Sequence, residues 1–302
     1  MRPIILRVLG LAGAALLALP AVAAVNILAC EPEWAALASE LAGDKANVHS
    51  ATTALQDPHR IEARPSLIAR ARSADLVVCT GSDLEVGWLP LLFTQSGNAK
   101  IQPGRPGYFE ASQFVARIEV PRTLDRSMGD IHPGGNPHIH LDPRNIAKVA
   151  EALAGRLAEI DPPNAQAYRE RLAAFTPRWR AAIERWEREG ARLKGAPVVV
   201  YHKDMSYFIG WMGMREAGSL EPKPGLPATP AHLAELVERM KREPAKVIVY
   251  SAYTSPKAAE FLSSRTGIPM TMLPFTVGGS DKAKDLFGLF DDTLGRLLAA
   301  VK

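Results

Sequence analysis

Short apolar runs closed by turn residues alternate with amphipathic stretches in two separate series, and about fifty residues with no strand pattern lie between them. That punctuation constrains the fold more than any other feature, because alternating strand and helix periods build parallel sheets with helices on their faces. The first series runs through residues 25–30, 32–41, 46–52, 66–74, 75–79, 83–95 and 114–120, beginning and ending on a strand. Ser66 and Asp83 suit helix N-caps, Gly43 suits a helix stop, and the strands are apolar enough to be buried on both faces. The second series has strands at 197–201, 246–250 and 270–275. Capped helices start at Thr229-Pro230 and Ser255-Pro256, Gly267 is a stop signal, and a last helix covers 282–301.

Residues 145–194 are almost wholly helical in pattern, entered through Asp142-Pro143 and broken at Asp161-Pro162-Pro163. Lying between two βα series, they read as a connector. The expected fold class is therefore α/β: two lobes, each a parallel sheet flanked by helices, joined by a long rigid connecting helix. The expected domains are a signal peptide at 1–24, an N-terminal α/β lobe at 25–144, a connecting helical segment at 145–194 and a C-terminal α/β lobe at 195–302.

The leader sets the compartment. Arg2 and Arg7 precede an apolar run that ends in Ala21-Val22-Ala23, the pattern of a secretory signal peptide cleaved near Ala23 or Ala24. No second stretch is long enough to span a membrane, so a soluble periplasmic protein is expected. Cys30 is a poor lipid-attachment site because Leu28-Ala29 before it belongs to a strand-like run. Cleavage lowers the formal charge from +4 to +2. Acids interleave the basic residues of 178–192, as on a solvated helix face, so no nucleic-acid partner is expected.

The two cysteines, Cys30 and Cys79, each end a strand-like run. If those runs are neighbouring parallel strands, the sulfurs emerge at one sheet edge within bridging distance, and an oxidising compartment allows a disulfide. Their spacing does not suit a cysteine-based zinc site.

Three of the seven histidines lie beyond the carboxyl ends of expected strands, where open α/β sheets bind ligands. His59 and His138 each follow a proline, which stiffens the loop, and His202 directly follows the strand ending at Tyr201. Neutral imidazole is a good zinc ligand, but any one histidine is more often a packed or surface residue. Convergence of the three is what sequence spacing cannot supply.

The segment Asp57-Pro58-His59-Arg60-Ile61-Glu62-Ala63-Arg64-Pro65-Ser66, followed by Ala74-Asp75-Leu76-Val77-Val78, resembles a signature of metal-specific solute-binding proteins of ABC importers. Gly135-Asn136-Pro137-His138 with Leu141-Asp142-Pro143 resembles that family's second histidine motif, and Tyr201-His202-Lys203-Asp204 with Tyr207-Phe208 its third. The resemblance spans the mature chain in order. It implies two lobes bridged by a helix, with one metal held by His59 and His138 from the first lobe and His202 from the second. Manganese-type members resemble this chain but carry a carboxylate where His202 stands and an aspartate near Val277. The softer set here favours Zn2+ as the transported ligand over Mn2+. The histidine-rich acidic loop of many zinc-type members is absent.

A fourth metal ligand would be water or Asp281, with His132 and His140 as further candidates, read rather as supporting or surface residues. Glu62 could orient an imidazole or Arg64, or simply cap a helix. His49 and His232 receive no role, and Trp88, Phe208 and Trp211 read as core more than as cleft wall. The expected function is high-affinity binding of a divalent transition metal and its delivery to an ABC permease at the inner membrane, by a monomer that a metal-loading chaperone could fill. The manganese-type reading is the alternative. From other classes come a zinc hydrolase with Glu62 as base, for which no HExxH or nucleophile elbow is found, and a carrier of an organic solute. Phosphate-cradling loops are also absent.

Overall fold

The computed structural model describes residues 24–125 and 129–301. The expected signal peptide therefore falls outside the described residues, apart from Ala24. Two four-stranded sheets are present, and every strand pairing in them is parallel. The first has the order β2-β1-β3-β4, built from β1 (Val25–Ala29), β2 (Ala46–Ser50), β3 (Leu76–Cys79) and β4 (Tyr108–Glu110). The second repeats that order as β6-β5-β7-β8, from β5 (Pro197–Val200), β6 (Arg215–Ser219), β7 (Val247–Ser251) and β8 (Met270–Leu273). In each sheet the chain leaves the first strand to one side and later returns to the other. The ends of β1 and β5 thus mark switch points, where crevices open in parallel sheets.

The helices of the first lobe are α1 (Pro32–Ala42), α2 (Pro65–Ser73) and α3 (Leu89–Ser96). Those of the second are α6 (Ser206–Trp211), α7 (Pro230–Arg242), α8 (Lys257–Thr266) and α9 (Leu286–Ala300). Between the lobes run α4 (Pro143–Ile160) and α5 (Ala165–Gly190), broken at Asp161. A helix the length of α5 spans about 39 Å. It packs on α4 and α1 at one end and on α9 at the other. Its buried face carries Phe175, Trp179 and Trp186, and the Trp179 ring meets Phe287 and Phe290 of α9 edge-on. One hydrophobic core then runs from Val25 and Leu76 through Trp179 to Val198 and Val247, so the lobes share an interior. Smaller clusters lie on the far face of each sheet.

Several expectations need correction. Residues 114–120 form no strand. The edge strand is the three-residue β4, which pairs with β3, while Phe114, Ile118 and Val120 are exposed. Helix α3 begins at Leu89, and Asp83 sits in a turn at φ +62° rather than at an N-cap. Arg64, not Ser66, precedes α2, where Pro65 takes the first helical position. Strand β6 and helix α6 are additions to the expected second series. Gly43 and Gly267 do stop α1 and α8, at φ +53° and +74°.

Parallel pairing of β1 with β3 brings their carboxyl ends together, and Cys30 and Cys79 form a disulfide there.

Candidate metal site

Three loops at strand ends supply the chemistry. His59 lies on the loop after β2, where the buried Trp88 indole donates to the Pro58 carbonyl at 2.9 Å and holds the turn. Asp57 accepts the His59 backbone N–H at 3.0 Å and lies 2.7 Å from His59 Nδ1 through the same oxygen. A carboxylate on Nδ1 fixes that proton and leaves Nε2 with its lone pair outward.

His138 ends the long loop after β4. Gly135, at φ +95°, is pressed so closely on the Ile118 carbonyl that a Cβ there would stand 2.8 Å from the oxygen. That turn aims Asn136, whose Oδ1 accepts the His138 backbone N–H at 2.9 Å. The His138 ring is 1% exposed, and neither ring nitrogen has a hydrogen-bond partner. Burial, followed by the neighbouring His59 and His202, pushes its pKa well below the ordinary imidazole value, so the ring is neutral.

His202 lies two residues past the end of β5, after Tyr201. Its Nδ1 lies 2.7 Å from Glu221 Oε2. Burial pushes the His202 pKa down, but the Glu221 hydrogen bond and the carboxylates of Asp204, Glu221 and Asp57 outweigh it, and the net shift is upward. Asp204 is itself buried, with its pKa raised by desolvation, and takes hydrogen bonds from Ser251 and Tyr253.

The centroids of His59 and His138 are 5.5 Å apart, those of His59 and His202 5.8 Å, and those of His138 and His202 5.6 Å. One donor atom from each ring lies within 4.8 Å of the others. A modest contraction of this triangle around an ion reaches zinc–nitrogen bonds of about 2.0–2.1 Å. His59 comes from the first lobe and His202 from the second, so the triangle straddles the cleft. A cavity of 230 Å³ lined by Asp57, His59, His202 and Glu221 adjoins it.

Other candidates fall elsewhere. Asp281 is exposed and stands outside the compact group. Glu62 is exposed, and the carboxylate that orients His59 is Asp57. His140 is fully buried in the seam between the lobes. Its Nε2 donates to the Phe275 carbonyl at 3.0 Å, and its Nδ1 lies 3.1 Å from Glu33 Oε1 without hydrogen-bonding geometry. Glu33 in turn accepts from Thr276. His132 lies in the site, with Nε2 3.2 Å from Nε2 of His59. Burial, then His59 and His202, lowers its pKa to about 4. His49 lies in β2 and His232 in α7, while Trp88 and Phe208 are core. Two carboxylates outside the candidate set support the site, Asp57 on His59 and Glu221 on His202. Asp57 was legible inside the Asp57-Pro58-His59 motif, whereas Glu221 carries no signal in the sequence.

The family model for zinc-uptake complex component A, periplasmic, matches residues 27–300. The chain is 25% identical over 266 residues to the manganese ABC transporter substrate-binding lipoprotein scaA of Streptococcus gordonii, covering 86% of this chain and 83% of that one. It is 24% identical over 269 residues to the iron ABC transporter substrate-binding lipoprotein MtsA of Streptococcus pyogenes serotype M1, covering 86% and 82%. The crystal structure of ZnuA matches with a TM-score of 0.78 at 20% identity, over 92% of this chain and all of that one. The nickel complex of FpvC from P. aeruginosa matches at 0.73 and 22% identity, over 92% and 97%. At such identities the structural likeness carries the fold alone.

Proposed function

This chain belongs to the zinc-uptake complex component A family of periplasmic solute-binding proteins, and on that premise we propose that it carries one zinc ion on His59, His138 and His202 and delivers it to the permease of an ABC importer. Membership makes it a metal-binding protein of an importer and not an enzyme, which removes the hydrolase alternative. Export to the periplasm with cleavage near Ala23 or Ala24, a monomeric state and loading by a chaperone are parts of the same proposal.

The observation that carries the reading is the His138 ring. A buried polar group without a partner is costly, and here two ring nitrogens have none. A metal ion between His138, His59 and His202 satisfies a donor atom that water does not reach. Asp57 and Glu221 hold the Nδ1 sides of the other two rings, the arrangement that raises ligand basicity at zinc centres.

Metal identity rests on donor chemistry, because relatives are named for manganese and iron as well as zinc. Three imidazoles with no carboxylate in the compact group suit zinc better than manganese. Manganese is the second reading, favoured by those relatives' names. It requires Asp57 or Glu221 to leave its imidazole and bind the ion instead.

Capture and release follow from the two-lobe origin of the ligands. Small closure of the lobes shortens the triangle onto the ion, and separation on the permease removes His202 from the other two. Elemental analysis of the purified protein, with His59→Ala, His138→Ala and His202→Ala alongside, tests the proposal. One zinc per chain in the wild type and loss in each variant is the expected result. Retention of stoichiometric zinc by all three variants would overturn it.

A further inference from the structure

We infer that His132 is a fourth ligand of the metal, an imidazole at the mouth of the cleft that completes the coordination begun by His59, His138 and His202. The inference rests on the three-histidine site proposed above and adds a residue to it.

Distance is the first argument. In a tetrahedral zinc site with bonds of about 2.0–2.1 Å, neighbouring ligand atoms stand about 3.3–3.4 Å apart. The His132 and His59 Nε2 atoms are 3.2 Å apart, already at nearly the length of one tetrahedral edge. His59 and His132 are half-buried whereas His138 and His202 are buried, so the first pair faces the entrance and the second the floor.

Orientation is the second. A cavity of 290 Å³ is lined by His132 together with His138 and His202. His132 thus shares with the two floor histidines a space into which an ion fits. Nε2 of the His132 ring is turned to His59. Ser82 and Asp83 both hold positive φ, at +52° and +62°, which non-glycine residues seldom adopt. That turn lies against Gly134, of the same segment as His132, where an added Cβ would stand 3.4 Å from Ser82 Oγ.

Anchorage is the third. Residues 130–136 cross to the second lobe and are tied there at both ends: Asp130 N–H donates to the Pro224 carbonyl at 2.8 Å, and Asn136 Nδ2 donates to the Lys203 carbonyl at 2.7 Å. Within the segment a turn closes from Gly135 N–H to the His132 carbonyl at 2.9 Å. The segment is also held to the first lobe, where Asn136 N–H donates to the Ile118 carbonyl at 2.9 Å, so it bridges the cleft beside the three histidines. His132 lies outside the compact triangle, so it must draw in on binding, as the triangle itself must. A fourth imidazole would replace the water otherwise needed at that position. It would make the site all-nitrogen, biasing it further from manganese and slowing loss of the ion.

X-ray absorption at the zinc edge tests this directly. Zinc-loaded wild type is expected to show four imidazoles, and His132→Ala and His132→Gln three imidazoles plus an oxygen. Both variants should keep one zinc per chain, with affinity lower by roughly ten- to a hundredfold, the range in which metal sites respond to loss of a supporting group. Transfer of zinc to a chelator should be correspondingly faster. Three imidazoles in the wild type, or variants with unchanged spectra and transfer rates, would overturn the inference while leaving the three-histidine site standing. If His138→Ala and His202→Ala also left the spectrum unchanged, the site itself would be wrong.

Discussion

Glu221 Oε2 stands 2.7 Å from Nδ1 of His202 and also accepts the Gly225 backbone N–H at 3.0 Å. The second bond keeps the carboxylate aimed at the ring, and the ring in turn keeps Nε2 toward the cleft. Glu221→Ala removes that orientation without touching a ligand. It is expected to weaken zinc binding by roughly ten- to a hundredfold, with stoichiometry intact. Competition against a chelator of known affinity measures the effect, and an unchanged constant would show that His202 needs no such support.

Protons and metal compete for the same nitrogens. His138 stays neutral well below the ordinary value of about 6.5 because burial disfavours its charged form, so acidification reaches it late. His202 titrates above that value, since its carboxylate neighbours outweigh burial, and it is the first of the two to protonate. A protonated ring has no lone pair for a metal, so affinity is expected to fall as pH drops through the His202 pKa, beginning above about 6.5. Zinc titrations between pH 8 and pH 5.5 check the sign. Affinity that is flat over that range would rule out histidine ligation.

The Cys30–Cys79 disulfide ties β1 to β3 across 49 residues of chain. Closing a loop of that length limits the unfolded state, and loss of the bond is expected to cost roughly 2–5 kcal/mol. Paired Cys30→Ser and Cys79→Ser should therefore unfold at lower urea while retaining one zinc, because neither residue belongs to the histidine triangle. A midpoint equal to that of the oxidised wild type would mean that the shared core alone holds the first sheet.

How far the sequence reveals this protein depends on whether local pattern or tertiary pairing makes each element. Strands β1, β3, β5 and β7 are legible because they are apolar runs buried in the middle of sheets. Strand β6 is not, since Arg-Glu-Ala-Gly-Ser has no strand pattern and becomes a strand only by pairing with β5. Strand β4 is three residues long, and the nearby Phe114, Val115, Ile118 and Val120 imitate a longer one. Within the site, His59, His138 and His202 can be read from their places at strand ends. The Glu221–His202 bond cannot, because Glu221 arrives on the loop after the unrecognised β6. His132 meets His59 across 73 residues, a convergence that only the folded loop creates.

Tyr207 joins two of these stories. Its hydroxyl donates to the Asn136 carbonyl at 2.9 Å and accepts the Ile118 backbone N–H at 3.2 Å, while Asn136 positions His138. Tyr207→Phe keeps the ring in the core and deletes both bonds, stranding a buried carbonyl. Leaving such a group unpaired costs about 1–3 kcal/mol, so the metal-free protein should be less stable by about that amount. Because the freed loop carries His138, zinc should also pass to a chelator faster, although every imidazole remains. Urea unfolding and stopped-flow transfer separate the two effects. Loss of stability with an unchanged transfer rate would mean that the remaining hydrogen bonds of Asn136, to Ile118, Glu119 and Lys203, hold the loop when the ion is bound.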